Sequence, residues 1–131
     1  MGWAGALLCA REGAKVVVAD QVVESGEEAV RMIKEAGGRA TFIKTDVSKT
    51  ENVQKLVKTT IDIYGKLDIL YNNAGIASIE LLIEPTEKSV DQAIAINLKG
   101  VWVGMKYAIS EMMKSGGGSI INVPSINADA V

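Results

Sequence analysis

Along the chain, short β-branched runs alternate with segments whose apolar residues recur every three or four positions. Residues 15–19 (KVVVA) form the first such run, end at Asp20 and predict a strand. Ala29, Val30, Ile33 and Ala36 then fall at helical spacing, with Gly37 and Gly38 as the stop. Residues 40–43 (ATFI) predict a second strand ending near Asp46. Ser48 and Glu51 have the spacing of a capping box. They open a predicted helix whose apolar face is Val53, Leu56, Val57, Ile61 and Tyr64, closed by Gly65. Residues 67–71 (LDILY) predict a third strand running into Asn72, Asn73, Ala74 and Gly75. A loop leads to Pro85, and Thr86 caps a long helix with the stripe Val90, Ile94, Asn97, Val101, Met105, Ala108 and Met112. Gly116 to Gly118 end it, and residues 119–123 (SIINV) predict a fourth strand. Ahead of all this, Ala4, Leu7, Leu8 and Arg11 place a helix over residues 3–12, stopped by Gly13.

Strands apolar on both faces, separated by amphipathic helices, predict an α/β fold with a doubly wound parallel sheet of the Rossmann type. Residues 1–131 read as one domain, without internal repeat or linker. A βαβ unit opens with a strand and a tight turn before its first helix. Neither precedes Trp3, and Val131 follows closely on the last strand. The expectation is therefore an incomplete domain, lacking its first strand and its C-terminal elements.

Composition narrows the function classes. Apolar residues make up 48% and charged residues 23%, as in globular proteins and unlike disordered ones. The net charge of −2 offers no basic face for nucleic acid or anionic lipid. No apolar run approaches the ~20 residues of a membrane helix. Residues 3–10 are apolar but short, and Arg11 and Glu12 close them, so they do not read as a signal peptide. Met1 and Gly2 could begin a myristoylation motif, but Ala6 stands where Ser or Thr is required. The single cysteine, Cys9, excludes an internal disulfide and points to a reducing, cytoplasmic compartment. The chain has no histidine, which excludes a Ser-His-Asp triad, a Cys-His pair and a His-ligated zinc site within it. No metal site is expected.

The chemistry-bearing residues gather at predicted strand ends. Asp20 ends the first strand, 18 residues beyond Gly2. A dinucleotide-binding fold places a ribose-holding acid about 20 residues after its glycine-rich turn; a solvated loop aspartate fits the spacing equally well. A carboxylate there repels a 2′-phosphate and favours NAD over NADP. Gly2 suits the end of a phosphate-binding turn that leaves a helix N-terminus facing a pyrophosphate, or a simple cap. Asn97 lies on an apolar stripe, where an unpaired buried amide costs roughly 1–3 kcal/mol. It needs either a backbone partner or a functional reason, and Gly100 beyond it suggests a close backbone approach. Asn72 to Gly75 and Ser125 both follow strands on the carboxyl edge, where open α/β sheets hold ligands; plain turns fit there too. Without histidine, Ser125 has no base to make it a nucleophile.

Four segments together resemble the short-chain dehydrogenase/reductase family: residues 11–20 (REGAKVVVAD), 45–48 (TDVS), 65–75 (GKLDILYNNAG), and 96–100 (INLKG) with 117–122 (GGSIIN). The resemblance covers nearly the whole chain. It implies that Gly2 is the last glycine of a TGxxxGxG turn and that Asp20 holds the adenosine ribose. Asp46 through its carboxylate and Val47 through its backbone contact adenine. Asn73, Ala74 and Gly75 line the cofactor ribose, Asn97 is the catalytic asparagine that holds a relay water, and Ser125 orients the substrate oxygen. The implied activity is NAD-dependent interconversion of an alcohol and a ketone by hydride transfer, in a homotetramer built partly on the long helix. Trp102 and Met113 either serve that contact or face the sheet.

The departures shape the expectation. The family's YxxxK pair, its proton-transfer machinery, is absent: Tyr107 has Glu111 four residues on. The pair is expected beyond Val131. In the implied 3-2-1-4-5 strand order the first strand is central; its loss leaves the Val16–Val18 and Ile69–Leu70 strands without a shared neighbour, so this stretch alone is expected to be inactive. Pro124 replaces a more usual small residue, and Asn127 with Ala128 replaces a common Ala-Gly. Two other readings compete. A nucleotide-binding module without catalysis accounts for the absent pair. A methyltransferase-like domain for S-adenosylmethionine accommodates the strand-end acids but gives Asn72–Gly75 and Asn97–Gly100 no role.

Overall fold

The computed structural model describes residues 2–77 and 85–123. Its elements follow the predicted order. Helix α1 (Gly2–Arg11) leads to strand β1 (Lys15–Asp20), helix α2 (Val23–Glu35), strand β2 (Arg39–Lys44) and helix α3 (Thr50–Tyr64). Strand β3 (Ile69–Asn72) comes next, then helix α4 (Glu87–Ala93), a π-helical turn (Ile94–Gly100), helix α5 (Val101–Lys114) and strand β4 (Ser119–Asn122). Ala93, Ile94, Gly100 and Val101 keep right-handed helical angles, so α4, the π turn and α5 run on as one long helix.

The β-branched run of β1 adopts the extended state such residues prefer. It pairs in parallel with β2, from Lys15 opposite Arg39 to Asp20 opposite Lys44. β3 pairs in parallel with β4, from Ile69 opposite Ser119 to Asn72 opposite Asn122. Parallel neighbours need a crossover; α2 supplies the first, and the long helix stands in the second. The four strands form two separate pairs, and β1 and β3 do not bond one another. That is the separation expected for the Val16–Val18 and Ile69–Leu70 strands.

The first pair is closed by apolar packing. Ala10 of α1, Val30 and Ile33 of α2 and Ala40 of β2 form a buried cluster, with Ala6, Leu7, Val16, Val18 and Phe42 against it. Ile33 is only 1% exposed, and burying such a side chain contributes about 1.5–3 kcal/mol. Gly26 lets α2 lie on Phe42: a β-carbon there would fall 2.1 Å from the ring. On the second side, α3 packs on α5. Val53, Val57 and Thr60 face inward from α3, and Val103, Ala108 and Met112 from α5. The Thr60 hydroxyl donates to the Leu56 carbonyl and so is satisfied in the core.

Several expectations need correction. Strands apolar on both faces were expected to be covered on both, yet Ile69, Tyr71 and Ile121 are exposed, because the described helices cover β3 and β4 incompletely. The capping box at Ser48 and Glu51 does not form. The first residue outside α3 is Lys49, with no side-chain cap, and the Ser48 hydroxyl turns back to Asp46 instead. The single stripe predicted along the long helix is broken. Val90 and Ile94 are exposed while Ala108 and Met112 are buried, because the π turn shifts the phase of the face across it. Trp102 and Met113 do not face the sheet; they are 54% and 77% exposed. Among the described residues, no helix is long and apolar enough to cross a membrane.

Candidate functional site

The predicted site residues that lie among the described ones gather near the carboxyl ends of the two strand pairs. At the end of β1, Asp20 Oδ1 accepts a hydrogen bond from the Val22 amide at 2.9 Å. The Asp20 carbonyl accepts from the Thr45 amide at 2.9 Å, which sets the Thr45–Ser48 loop beside it. In that loop Asp46 Oδ1 accepts from both the amide (3.0 Å) and the hydroxyl (2.6 Å) of Ser48. The Ser48 hydroxyl bond outweighs desolvation, and with the Lys49 charge it holds the Asp46 carboxyl below its ordinary pKa. Two carboxylates thus stand near adjacent strand ends, an acceptor set suited to the hydroxyls and amine of an adenosine.

The loop continues into the long helix. Val47 lies against Gly100, the last residue of the π turn: a β-carbon on Gly100 would sit 3.1 Å from the Val47 carbonyl oxygen. This is the close approach expected at Gly100. Asn97 lies in the same turn. Its Oδ1 accepts from the Ile76 amide at 2.9 Å and its Nδ2 donates to the Ile76 carbonyl at 2.8 Å. Asn97 is exposed rather than buried on an apolar stripe, since the π turn rotates it off that face. The bond to a neighbouring backbone, one of the two readings left open, is present. Each end of the amide keeps capacity, because a primary amide has a second N–H and a second lone pair.

Gly75 packs behind Asn97, with a built β-carbon 3.4 Å from Oδ1. Gly2, at the start of α1, abuts Asn73: a β-carbon there would lie 2.7 Å from Nδ2. Gly2, Asn73–Gly75, Asn97, Gly100, Val47, Asp46 and Asp20 therefore form one unbroken row, with Ala74 inside the turn. Ser125 and its neighbours Pro124, Asn127 and Ala128 lie outside the described residues, as does most of the connection from Gly75 to Pro85. An apolar groove of about 150 Å³ between α1 and α2, lined by Trp3, Ala4, Leu7, Ala29 and Met32, shares no residue with the row.

The sequence model of the short chain dehydrogenase family matches residues 1–130. The chain belongs to the short-chain dehydrogenases. It is 43% identical over 125 residues to an uncharacterised oxidoreductase of Thermotoga maritima, across 95% of this chain and 49% of the relative. It is 36% identical over 126 residues to the 2,5-dichloro-2,5-cyclohexadiene-1,4-diol dehydrogenase of Sphingobium indicum, across 96% of this chain and 50% of that one. A crystal structure of a metagenomic short-chain oxidoreductase in complex with NADP superposes with a TM-score of 0.91 at 29% identity, over 98% of this chain and 58% of the other. This short-chain dehydrogenase sequence thus spans about half the length of the curated relatives it matches. The family assignment and the α/β Rossmann-type architecture agree with the sequence reading.

Sequence reasoning missed several residues that build the site of this dehydrogenase. Ser48 was assigned to a helix cap rather than to Asp46, and Ile76 was part of an undifferentiated loop. Asn72 was noted at a strand end but without its partner: Asn72 Nδ2 donates to Asn122 Oδ1 at 2.9 Å across the β3–β4 ladder. The pairing was hidden because the predicted strands, 67–71 and 119–123, did not both end at these asparagines, whereas the observed ones do. Gly104 completes that contact, for a β-carbon there would stand 2.9 Å from Asn72 Oδ1.

Proposed function

We propose that the whole protein is an NAD-dependent oxidoreductase interconverting an alcohol and a ketone. The observation that carries this is the row itself, which runs from Asp20 and Asp46 through Val47, Gly100 and Asn97 to Asn73 and Gly2. Asp20 would accept hydrogen bonds from the adenosine ribose, and its charge disfavours a 2′-phosphate. Asp46 and the Val47 backbone would hold adenine, and Gly2 would let the α1 N-terminus approach the pyrophosphate. Asn73, Ala74 and Gly75 would line the second ribose. The nicotinamide ring supplies the hydride chemistry when bound. Asn97, fixed by Ile76, would use its spare amide capacity to hold a water near the reacting oxygen. Ser125 would orient that oxygen. The sequence contains no YxxxK pair, and we assign proton transfer to such a pair outside this stretch. This stretch by itself is then inactive. The exposed Leu98, Trp102 and Met113 on the long helix support self-association of the whole protein as a tetramer, and the lone cysteine supports a cytoplasmic setting.

Thermal unfolding of the whole protein with NAD, NADP or S-adenosylmethionine tests this reading. A ligand at 100 times its Kd stabilises by about 2.7 kcal/mol. NAD is expected to raise the Tm most. A larger shift with NADP would overturn the role given to Asp20. A shift with S-adenosylmethionine alone would overturn the dehydrogenase activity, and cofactor binding without turnover of any alcohol or ketone would leave a non-catalytic nucleotide-binding module.

A further inference from the structure

Gly100 stands inside a continuous helix, where alanine has the better intrinsic propensity. It is buried, and its φ of −58° needs no glycine. Conformational freedom therefore does not explain the residue; space does. A β-carbon would meet three atoms of Val47: the carbonyl oxygen at 3.1 Å, and Cβ and Cγ2 at 3.3 Å. Three residues earlier in the same π turn, Asn97 grips the backbone of Ile76 with two hydrogen bonds. One turn of helix thus touches the Asp46–Ser48 loop on one side and the strand-exit turn after β3 on the other.

We propose that Gly100 is a positioning residue for adenine recognition, setting the height of the Val47 backbone above the strand ends. This rests on the dehydrogenase reading. The π turn is the common support: Gly100 seats the loop assigned to adenine, and Asn97 seats the turn assigned to the nicotinamide half. Added bulk at Gly100 acts on the Val47 side first, because the Val47 carbonyl is the nearest atom and belongs to backbone that a rotamer change cannot move aside. The Asn97–Ile76 bonds are made by a different residue of the turn, and Val47 is not among their partners.

The test uses the whole protein, with AMP and NAD as probes. Gly100→Ala is expected to fold, to weaken AMP binding and raise the KM for NAD by about fivefold, and to hold kcat within about twofold. A purely structural role would move the Tm and leave AMP affinity alone. Val47→Ala removes Cγ2 but leaves the Val47 carbonyl oxygen and Cβ in place, so Gly100→Ala is expected to weaken AMP binding about fivefold in the Val47→Ala background as well, and full relief there would overturn the role given to the backbone contact. Unchanged AMP affinity in Gly100→Ala, or a loss confined to kcat, overturns the proposal. If the unmutated protein binds neither AMP, NAD nor NADP, the dehydrogenase reading itself fails, and a normal wild-type affinity with an unresponsive Gly100→Ala overturns only the role of Gly100.

Discussion

Around β1 and β2, Ala10, Val30, Ile33 and Ala40 close into one apolar cluster. Around β3 and β4 the strand ends are joined by side-chain amides, Asn72 to Asn122 and Asn97 to Ile76. Both halves bury apolar side chains, and the second adds directional bonds at its strand ends. Apolar burial is non-directional and tolerant of small shifts. An amide bond has fixed length and direction, so it fixes where a turn sits more than how firmly the chain folds. Apolar packing is present in both halves, since Val103 and Ala108 of α5 are as buried as Ile33; the half assigned to the reacting groups differs in adding amide bonds that fix the geometry of its strand ends. Substitutions in the first should change stability and spare kcat, and those in the second should do the reverse.

The largest effect is expected at Ile33. Ile33→Ala empties a fully buried position and should cost about 3 kcal/mol, read as a lower urea midpoint at unchanged m-value. The kcat of the folded fraction should stay within about twofold. A loss below about 1 kcal/mol would show that the cluster around β1 and β2 collapses to fill the space, and the contrast would weaken.

Next is Asn97→Ala, expected to lower kcat of the whole protein about a hundredfold, ~2.7 kcal/mol of barrier. NAD affinity should change by less than about threefold, since the Asn97 amide bonds Ile76 and not the Asp20 or Asp46 carboxylates assigned to adenosine. An unchanged rate would reduce Asn97 to a tie for the Ile76 backbone. Smaller again is Asp20→Ala. It removes one charged acceptor and should shift the NAD-to-NADP ratio of kcat/KM about tenfold toward NADP, the size of one charge-assisted hydrogen bond. A ratio that does not move would place cofactor choice elsewhere.

The same division governs what the sequence could reveal. Every described strand and helix was legible, because β-branched runs and three-to-four spacing report burial directly. Glycine stops were legible as well: Gly65 and Gly37 take the left-handed conformation (φ 83°) at the ends of their helices. The π turn was not, since its composition is that of an ordinary helix and its phase shift emerges only where Val90 and Ile94 turn outward. At the site, strand-end position singled out Asp20 and Asn73, an amide on an apolar helical stripe singled out Asn97, and the family resemblance singled out Asp46. Their partners were hidden, because which backbone Asn97 bonds depends on a contact 21 residues away.

The smallest expected effect falls on the loop that both halves share. Ser48→Ala removes one short hydrogen bond to Asp46, and Asp46 is largely in water, so the cost should be only about 0.5 kcal/mol. Its pH dependence is the sharper measurement. The folded pKa of Asp46 lies below its unfolded value because the Ser48 hydroxyl bonds the charged form. The bond therefore stabilises fully above the ordinary aspartate pKa of about 3.9 and is lost as the pH falls through the lower folded value. Carboxyl titration by NMR should show the Asp46 midpoint rising in Ser48→Ala, and the stability gap between the two proteins should close in acid. A gap of constant size at every pH would mean that Ser48 supports the loop without regard to the charge on Asp46, and the electrostatic case for Asp46 as an adenine ligand would fall.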